Sequence, residues 1–327
     1  MANDTSTGVV NNWNVANVNG SRILTFSPTT YPFLSRVTGR KTAQSTEFAM
    51  SAQYALEADT QESINETASL AAPTAVAYDM EKEINQIQIF QKSVNVSYTA
   101  MSSMNRLKIT ESGSTGYGYT GDPLENSKME ILAFQLGAVQ QQLYGVLEYS
   151  MLHGTKTAST AASVAGLMGG IITGCTTNTV AASSATLTKA IVEELLLLMA
   201  ATGAKFARPT IFCNAFQKVQ LSKIFGYVPP AQGVGGISVE SLITDFGIWE
   251  IVYSRRVAAG TILFADMADI SLITQPVPGK VYMPDGLFIY EELSKTGASE
   301  KGQLYGQLSI DYGSQKLHGT ITGLATS

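Results

Sequence analysis

From Glu47 to Leu56 the chain alternates without a break. Phe48, Met50, Ala52, Tyr54 and Leu56 fall on one face, and Glu47, Ala49, Ser51, Gln53 and Ala55 on the other. A period of two marks a half-buried β-strand. Over Thr46 to Leu56, at about 3.3 Å per residue, such a strand runs roughly 36 Å. A strand that long needs a partner, yet no tight hairpin signal follows it. The next strand pattern starts at Ile84, where Ile87 and Ile89 alternate and then, after a slip of phase, Val94, Val96 and Tyr98. The slip predicts a bulge or a twist. The two patterns predict an antiparallel pair, Thr46–Leu56 with Ile84–Tyr98, joined by an elaborate tip. Connections of this length are uncommon inside compact domains and are usually functional. This one is acidic. Glu57, Asp59, Glu62, Glu66, Asp79, Glu81 and Glu83 face a single base, Lys82. The segment carries a net −6 in a chain of net charge −5, so the rest is close to neutral.

The second constraint is helical. Asp122 can cap a helix that begins at Pro123, with Glu125 near its positive end. Met129, Leu132, Leu136, Val139, Leu143 and Leu147 form one apolar stripe, and Gly154 ends it. The spacing predicts a helix over 123–153, about 45 Å long, where the mean helix has about 11–12 residues. The stripe carries no heptad run with flanking charges, so a coiled coil is the weaker reading. Long strands beside a long helix predict an elongated, thin molecule.

Beyond it, Leu187–Gly203 reads as a helix capped by Thr188 and closed by Gly203, apolar on most sides after Glu194 and therefore buried. Thr210–Cys213 reads as a strand, Phe216–Phe225 as a helix, and Ile248–Tyr253 and Thr261–Phe264 as strands. This is a compact α/β region, interrupted by the breaker-rich Gly226–Gly236. From Gly286 the pattern is β again. Met1–Gly39 is polar with isolated apolar residues and predicts an extended arm or a loosely docked terminus. Thr157–Thr188 carries no charge, but its large aliphatics are too sparse for a membrane span. Short β elements or loop are expected there.

Charged residues make up 14% of the chain and apolar ones 45%, against about 25% charged in an average soluble domain. Two kinds of protein cover themselves with uncharged polar groups. One is a secreted or adhesive β-protein; the other is a subunit that buries its faces on copies of itself, where charge is costly to desolvate. The acidic balance rules out a global basic footprint for nucleic acid. His153 sits at a helix end that favours its charge. Neither it nor His318 falls in a metal-ligand spacing. Cys175 and Cys213 form no CxxC or zinc pattern and read as small buried apolar residues. Gly233, Gly235 and Gly236 read as a flexible loop, not a phosphate cradle. The adjacent acids Glu193–Glu194 and Glu291–Glu292 diverge on any regular element, and no G-x-S-x-G elbow occurs. No catalytic residue, cofactor or metal site is expected. The first residues lack a signal-peptide pattern, which predicts synthesis and retention in a reducing cytoplasm. Arg255–Arg256 is a cation pair in a charge-poor chain: either a solvated turn or an anchor for an acidic partner through bidentate pairing. The same holds for Arg36, Arg40 and Lys41.

Three stretches, in this order, carry a family resemblance: "YPFLSRVTGRKTAQSTEFAMSAQ", then "LTKAIVEELLLLM" with "PTIFCNAFQKVQLSKIFG", then "EELSKTGASEKGQLYGQLSIDYGSQKLHGTITGL". With the order of elements, they make the chain similar to tailed-bacteriophage major capsid proteins of the Hong Kong 97-like fold. The resemblance implies an α+β architecture with an N-terminal arm (1–45), an extended β-hairpin loop (46–99), a peripheral domain with a long spine helix (100–185, helix 123–153), an axial domain (186–284) and return strands of the peripheral domain (285–327). It implies a non-enzymatic shell subunit that forms hexamers and pentamers around double-stranded DNA, assembled in the host cytoplasm and ending in the virion. The implied partners are copies of itself, a portal protein, a separate scaffolding protein, an optional decoration protein, and DNA touched weakly and non-specifically; no membrane is implied. No Lys–Asn–Glu set for covalent cross-linking is identifiable. Between subunits, Glu57, Asp59, Glu62 and Glu66 of the tip are expected to meet Arg36, Arg40, Lys41, Arg255 or Arg256. A cellular nanocompartment shell of the same fold is the first alternative. An extracellular β-rich adhesin or carbohydrate-binding protein is the second; the missing signal peptide and the long helix count against it.

Overall fold

The computed structural model describes residues 30–54, 56, 61, 63–72, 77–99, 123–225, 240–295 and 297–326, with the backbone alone at 68 and 123–131. In chain order the elements begin with β1 (Gly39–Thr42), β2 (Glu47–Gln53), the single turn α1 (Glu66–Ser69), β3 (Glu81–Gln86) and β4 (Gln88–Ser97). Then come the long helix α2 (Pro123–His153), the turn α3 (Ile171–Gly174), β5 (Thr179–Ala181), α4 (Lys189–Ala201), β6 (Pro209–Cys213) and α5 (Ala215–Phe225). The chain closes with β7 (Ser241–Thr244), β8 (Gly247–Tyr253), β9 (Ile262–Asp266), β10 (Ser271–Thr274), β11 (Ile289–Leu293), β12 (Ser299–Asp311) and β13 (Gly319–Thr322).

Two large sheets and the two-stranded β2–β3 hairpin hold the strands. The first is organised on β12, which pairs with β4 along one edge and with β10 and β11 in turn along the other; β1 extends it by pairing with β10 in parallel. The buried face of α2 packs here. Leu143, Leu147, Met151 and Leu152 meet Phe90, Leu304, Leu308 and Phe288 in one apolar core. The second sheet runs β5-β13-β9-β6-β8-β7. Leu195, Leu196 and Met199 of α4 share its core with Ile211, Phe264 and Ile321. Thr188 caps α4, its hydroxyl accepting from the Ile191 amide at 3.4 Å, and Gly203 follows with φ +89°. The helix is buried on one face only. Leu197 is 62% exposed, because among the described residues α4 is an outer layer.

The long hairpin differs from its expected form. β2 pairs with β3, not with the whole of Ile84–Tyr98. The second limb divides at Ile87, whose amide still bonds Thr46 O at 2.7 Å; the next ten residues leave the hairpin and pair with β12 from Gln88 to Ser97. The phase slip is thus the boundary between two strands with different partners. The inward phase of β4 is Phe90, Val94 and Val96, with Ile89 outside. The bulge lies in the first limb, between Ala49 and Ser51. It reverses the faces of β2, so Phe48 and Met50 lean inward while Tyr54 and Leu56 point out.

Two further findings revise the expected layout, and a third explains the expected end of α2. The N-terminal knot is not loosely docked. Phe33 is fully buried, edge-on to Phe212 at 5.1 Å, and Tyr31 packs on Tyr144 at 5.5 Å. Strands also cross the expected boundaries: β10 joins the first sheet, and β5 and β13 join the second. Hydrogen-bond register along a sheet, not proximity in sequence, sets these memberships. Finally, Gly154 ends α2 because the chain folds back on it. Gly170 donates to Gly154 O at 2.8 Å, and a Cβ on Gly170 would sit 2.6 Å from Gly154 N.

His318 ties the sheets together. Its Nδ1 accepts from the Asp266 amide at the end of β9 (3.1 Å), and its Nε2 donates to Tyr312 O just beyond β12 (2.7 Å). These partners require the neutral imidazole. Complete burial holds its pKa below the usual histidine value.

Candidate assembly surfaces

The cation pair after β8 splits into two roles. Gly145 on α2 leaves room for the Arg256 guanidinium; a Cβ there would lie 2.8 Å from Nη2. Arg256 Nη1 donates to Thr30 O at 2.8 Å and lies 3.8 Å from Glu148 Oε1, and the guanidinium carbon stands 4.9 Å from the centre of the Tyr31 ring. Glu148 is fully buried on α2 and accepts from the Leu34 amide (3.3 Å) and the Ser254 hydroxyl (3.5 Å). Burial pushes its carboxyl up to about 7, with the Leu34 amide and the Arg256 charge pulling the other way. Arg256 and Glu148 therefore latch the N-terminal knot and the β8 loop to the long helix. The signal for Glu148 was present in the sequence: it stands four residues after Tyr144 and four before Leu152, on a face otherwise apolar.

Arg255 is exposed, and no described residue forms an ion pair or hydrogen bond with it. It borders a surface cavity of about 490 Å³ with Tyr149, His153, Asn214, Tyr253 and Arg256. His153 Nε2 donates to Arg256 O at 2.8 Å and its ring stacks obliquely on Tyr149 at 5.2 Å. No acid lines the cavity.

The other three cations are engaged inside the chain. Arg36 pairs with Glu250 on β8 and holds that carboxyl below the usual range. Lys41 bonds Asp311 at 2.6 Å, fastening β1 to the first sheet. Arg40 is exposed and reaches Asp285 O at 3.3 Å.

The hairpin is the opposite kind of surface. Tyr54, Leu56, Ile64, Leu70, Tyr78 and Met80 are 49–86% exposed. Glu66 opens α1 and is exposed, as are Asp79 and Glu81; Glu57, Asp59 and Glu62 lie outside the described residues. Glu83 turns inward, accepting from Gln53 Nε2 (2.6 Å), Gln315 N (2.9 Å) and Ser314 Oγ (3.2 Å). It anchors the root of the hairpin.

Cys175 and Cys213 are free and buried, their thiols pushed up to about 12 by burial. Among the described residues, no group of His, Cys, Asp or Glu is arranged to hold a metal ion, and no helix is long and apolar enough to cross a membrane.

The sequence model of one family, described as SU10 major capsid protein, matches residues 5–325. No curated protein matches by sequence. Solved structures match in fold at low identity. The cyanophage A-1(L) capsid subunit has a TM-score of 0.62 at 10% identity, over 95% of this chain and 96% of that one. The capsid of Myoviridae phage XM1 gives 0.59 at 12%, over 97% and 100%. The holo-SrpI encapsulin complex from Synechococcus elongatus PCC 7942 gives 0.57 at 10%, over 95% and 94%.

Proposed function

This chain belongs to the SU10 major capsid protein family, a structural protein of phage shells, and from that premise we propose that its copies close an icosahedral head of hexamers and pentamers around double-stranded DNA. The observation that supports the assembly step is the hairpin. Six large apolar side chains stand in solvent between Tyr54 and Met80. A monomer rarely leaves such a patch open. Each large apolar side chain contributes about 1.5–3 kcal/mol when buried, whereas an exposed ion pair contributes about 0–1 kcal/mol. Apolar contact with a neighbour therefore outweighs the acidic charges, which select the register of that contact. Glu57, Asp59, Glu62 and Glu66, with Asp79 and Glu81 further along the same hairpin, are its proposed acidic side. Arg255 is the best cationic candidate, since Arg36, Lys41 and Arg256 are held within their own chain. The subunit has no enzymatic role. Portal, scaffolding and decoration proteins are its further partners in a virion assembled in the host cytoplasm, and DNA is touched without sequence readout.

A nanocompartment shell shares the fold, as the encapsulin match illustrates; the family match favours the phage head. Negative-stain electron microscopy of the purified protein tests the reading. Closed shells are expected; a monodisperse monomer overturns it. Deleting Thr60–Val76 should leave a folded subunit that makes no closed shell, and normal shells from that variant would remove the hairpin from the assembly.

A further inference from the structure

Resting on that reading, we propose that the cavity beside Arg255 is a socket for the Tyr78–Glu81 segment of a second copy of this chain. The socket is cationic. Its lining holds Arg255 and Arg256 and no carboxylate. Arg256 is already engaged by Thr30 O and the Tyr31 ring, with Glu148 at 3.8 Å, so Arg255 is the charge left for a partner, in a geometry that suits a planar carboxylate. The rim is apolar. Tyr149 on α2 and Tyr253 on β8 are 57% and 42% exposed, and Val257, Ala258 and Ala259 complete the lining.

The proposed occupant has the complementary pattern. Tyr78, Asp79, Met80 and Glu81 alternate apolar and acidic, all four are exposed, and they lead into β3. Alternation along extended chain sends the carboxylates to one side and the apolar groups to the other. That matches a cationic floor beside an apolar rim. The segment does not occupy the socket of its own chain, since no lining residue comes from the hairpin. Packaged DNA is the weaker fit. A concavity of about 490 Å³ admits a few side chains, and one uncommitted arginine is too little for phosphate-driven binding.

Charge exchange and cross-linking test the contact in the full chain. Arg255→Glu and the pair Asp79→Lys with Glu81→Lys should each melt like the parent, because all three sites are exposed, yet lower shell yield about ten-fold. Combining them should restore the yield. Separately, Arg255→Cys with Glu81→Cys or with Asp79→Cys should give a covalent ladder on oxidation of assembled particles. Wild-type protein that makes no shells refutes the capsid reading itself. The socket alone is overturned if wild type assembles and Arg255→Glu does so equally, or if the loss is not rescued and neither cysteine pair gives a ladder. Shells of Arg255→Glu that form normally but fail to retain DNA assign the cavity to phosphate, and overturn it too.

Discussion

Single buried ionisable groups set how this subunit responds to pH, and two of them act in opposite directions. Glu148 rises from an ordinary 4.5 to about 7 because it is desolvated on α2. The folded state then keeps a proton that the unfolded chain has lost. Stability from this group is fully present below about pH 4.5 and is lost as pH rises to about 7, by at most about 1.4 kcal/mol per pH unit. His318 works the other way. Its pKa is lowered by burial, so its contribution is present above the ordinary histidine value and is lost as pH falls through the lowered one. Glu148→Gln should remove the first dependence and leave the second. Urea unfolding of the unassembled subunit at about pH 5 and about pH 8 checks this: wild type should lose more stability between the two than the variant does. Equal losses would show that Glu148 stays charged in the fold.

At the scale of elements, tight backbone contact governs where α2 stops. A Cβ on Gly170 meets backbone atoms of Leu152 and Gly154 at 2.6–2.7 Å, and backbone cannot swing aside as a side chain does. Gly170→Ala should cost about 1–3 kcal/mol, read as a lower denaturation midpoint at unchanged slope. A neutral result would mean that the turn after α2 shifts freely. The helix itself was legible in the sequence. Its bounds, 123–153, follow from Pro123, the apolar stripe and Gly154, and Thr188 and Gly203 mark the ends of α4 equally well. The partner of a strand was not. Alternation records which face is buried, whereas Gln88–Ser97 takes its partner from β12, some two hundred residues away. The bulge after Ala49 was hidden for a related reason: Phe48, Met50, Ala52, Tyr54 and Leu56 keep a perfect period in sequence while the backbone reverses their faces. The Arg255–Arg256 pair looked uniform for want of one local clue, the bare Gly145 that receives only the second arginine.

For the whole molecule, the proposed assembly combines low charge with an exposed apolar hairpin, which predicts association governed by burial. Shells should therefore persist in about 1 M NaCl, where the Debye length is about 3 Å, as measured by sedimentation; disassembly there would show that charge dominates the contacts. The topology carries a further consequence. β12 is the strand on which the first sheet is ordered, and β13 lies inside the second, between β5 and β9. A translating ribosome must deliver Ser299–Thr322 before either sheet can close. A half-made chain should therefore offer a growing particle no finished edge, so that synthesis runs ahead of construction.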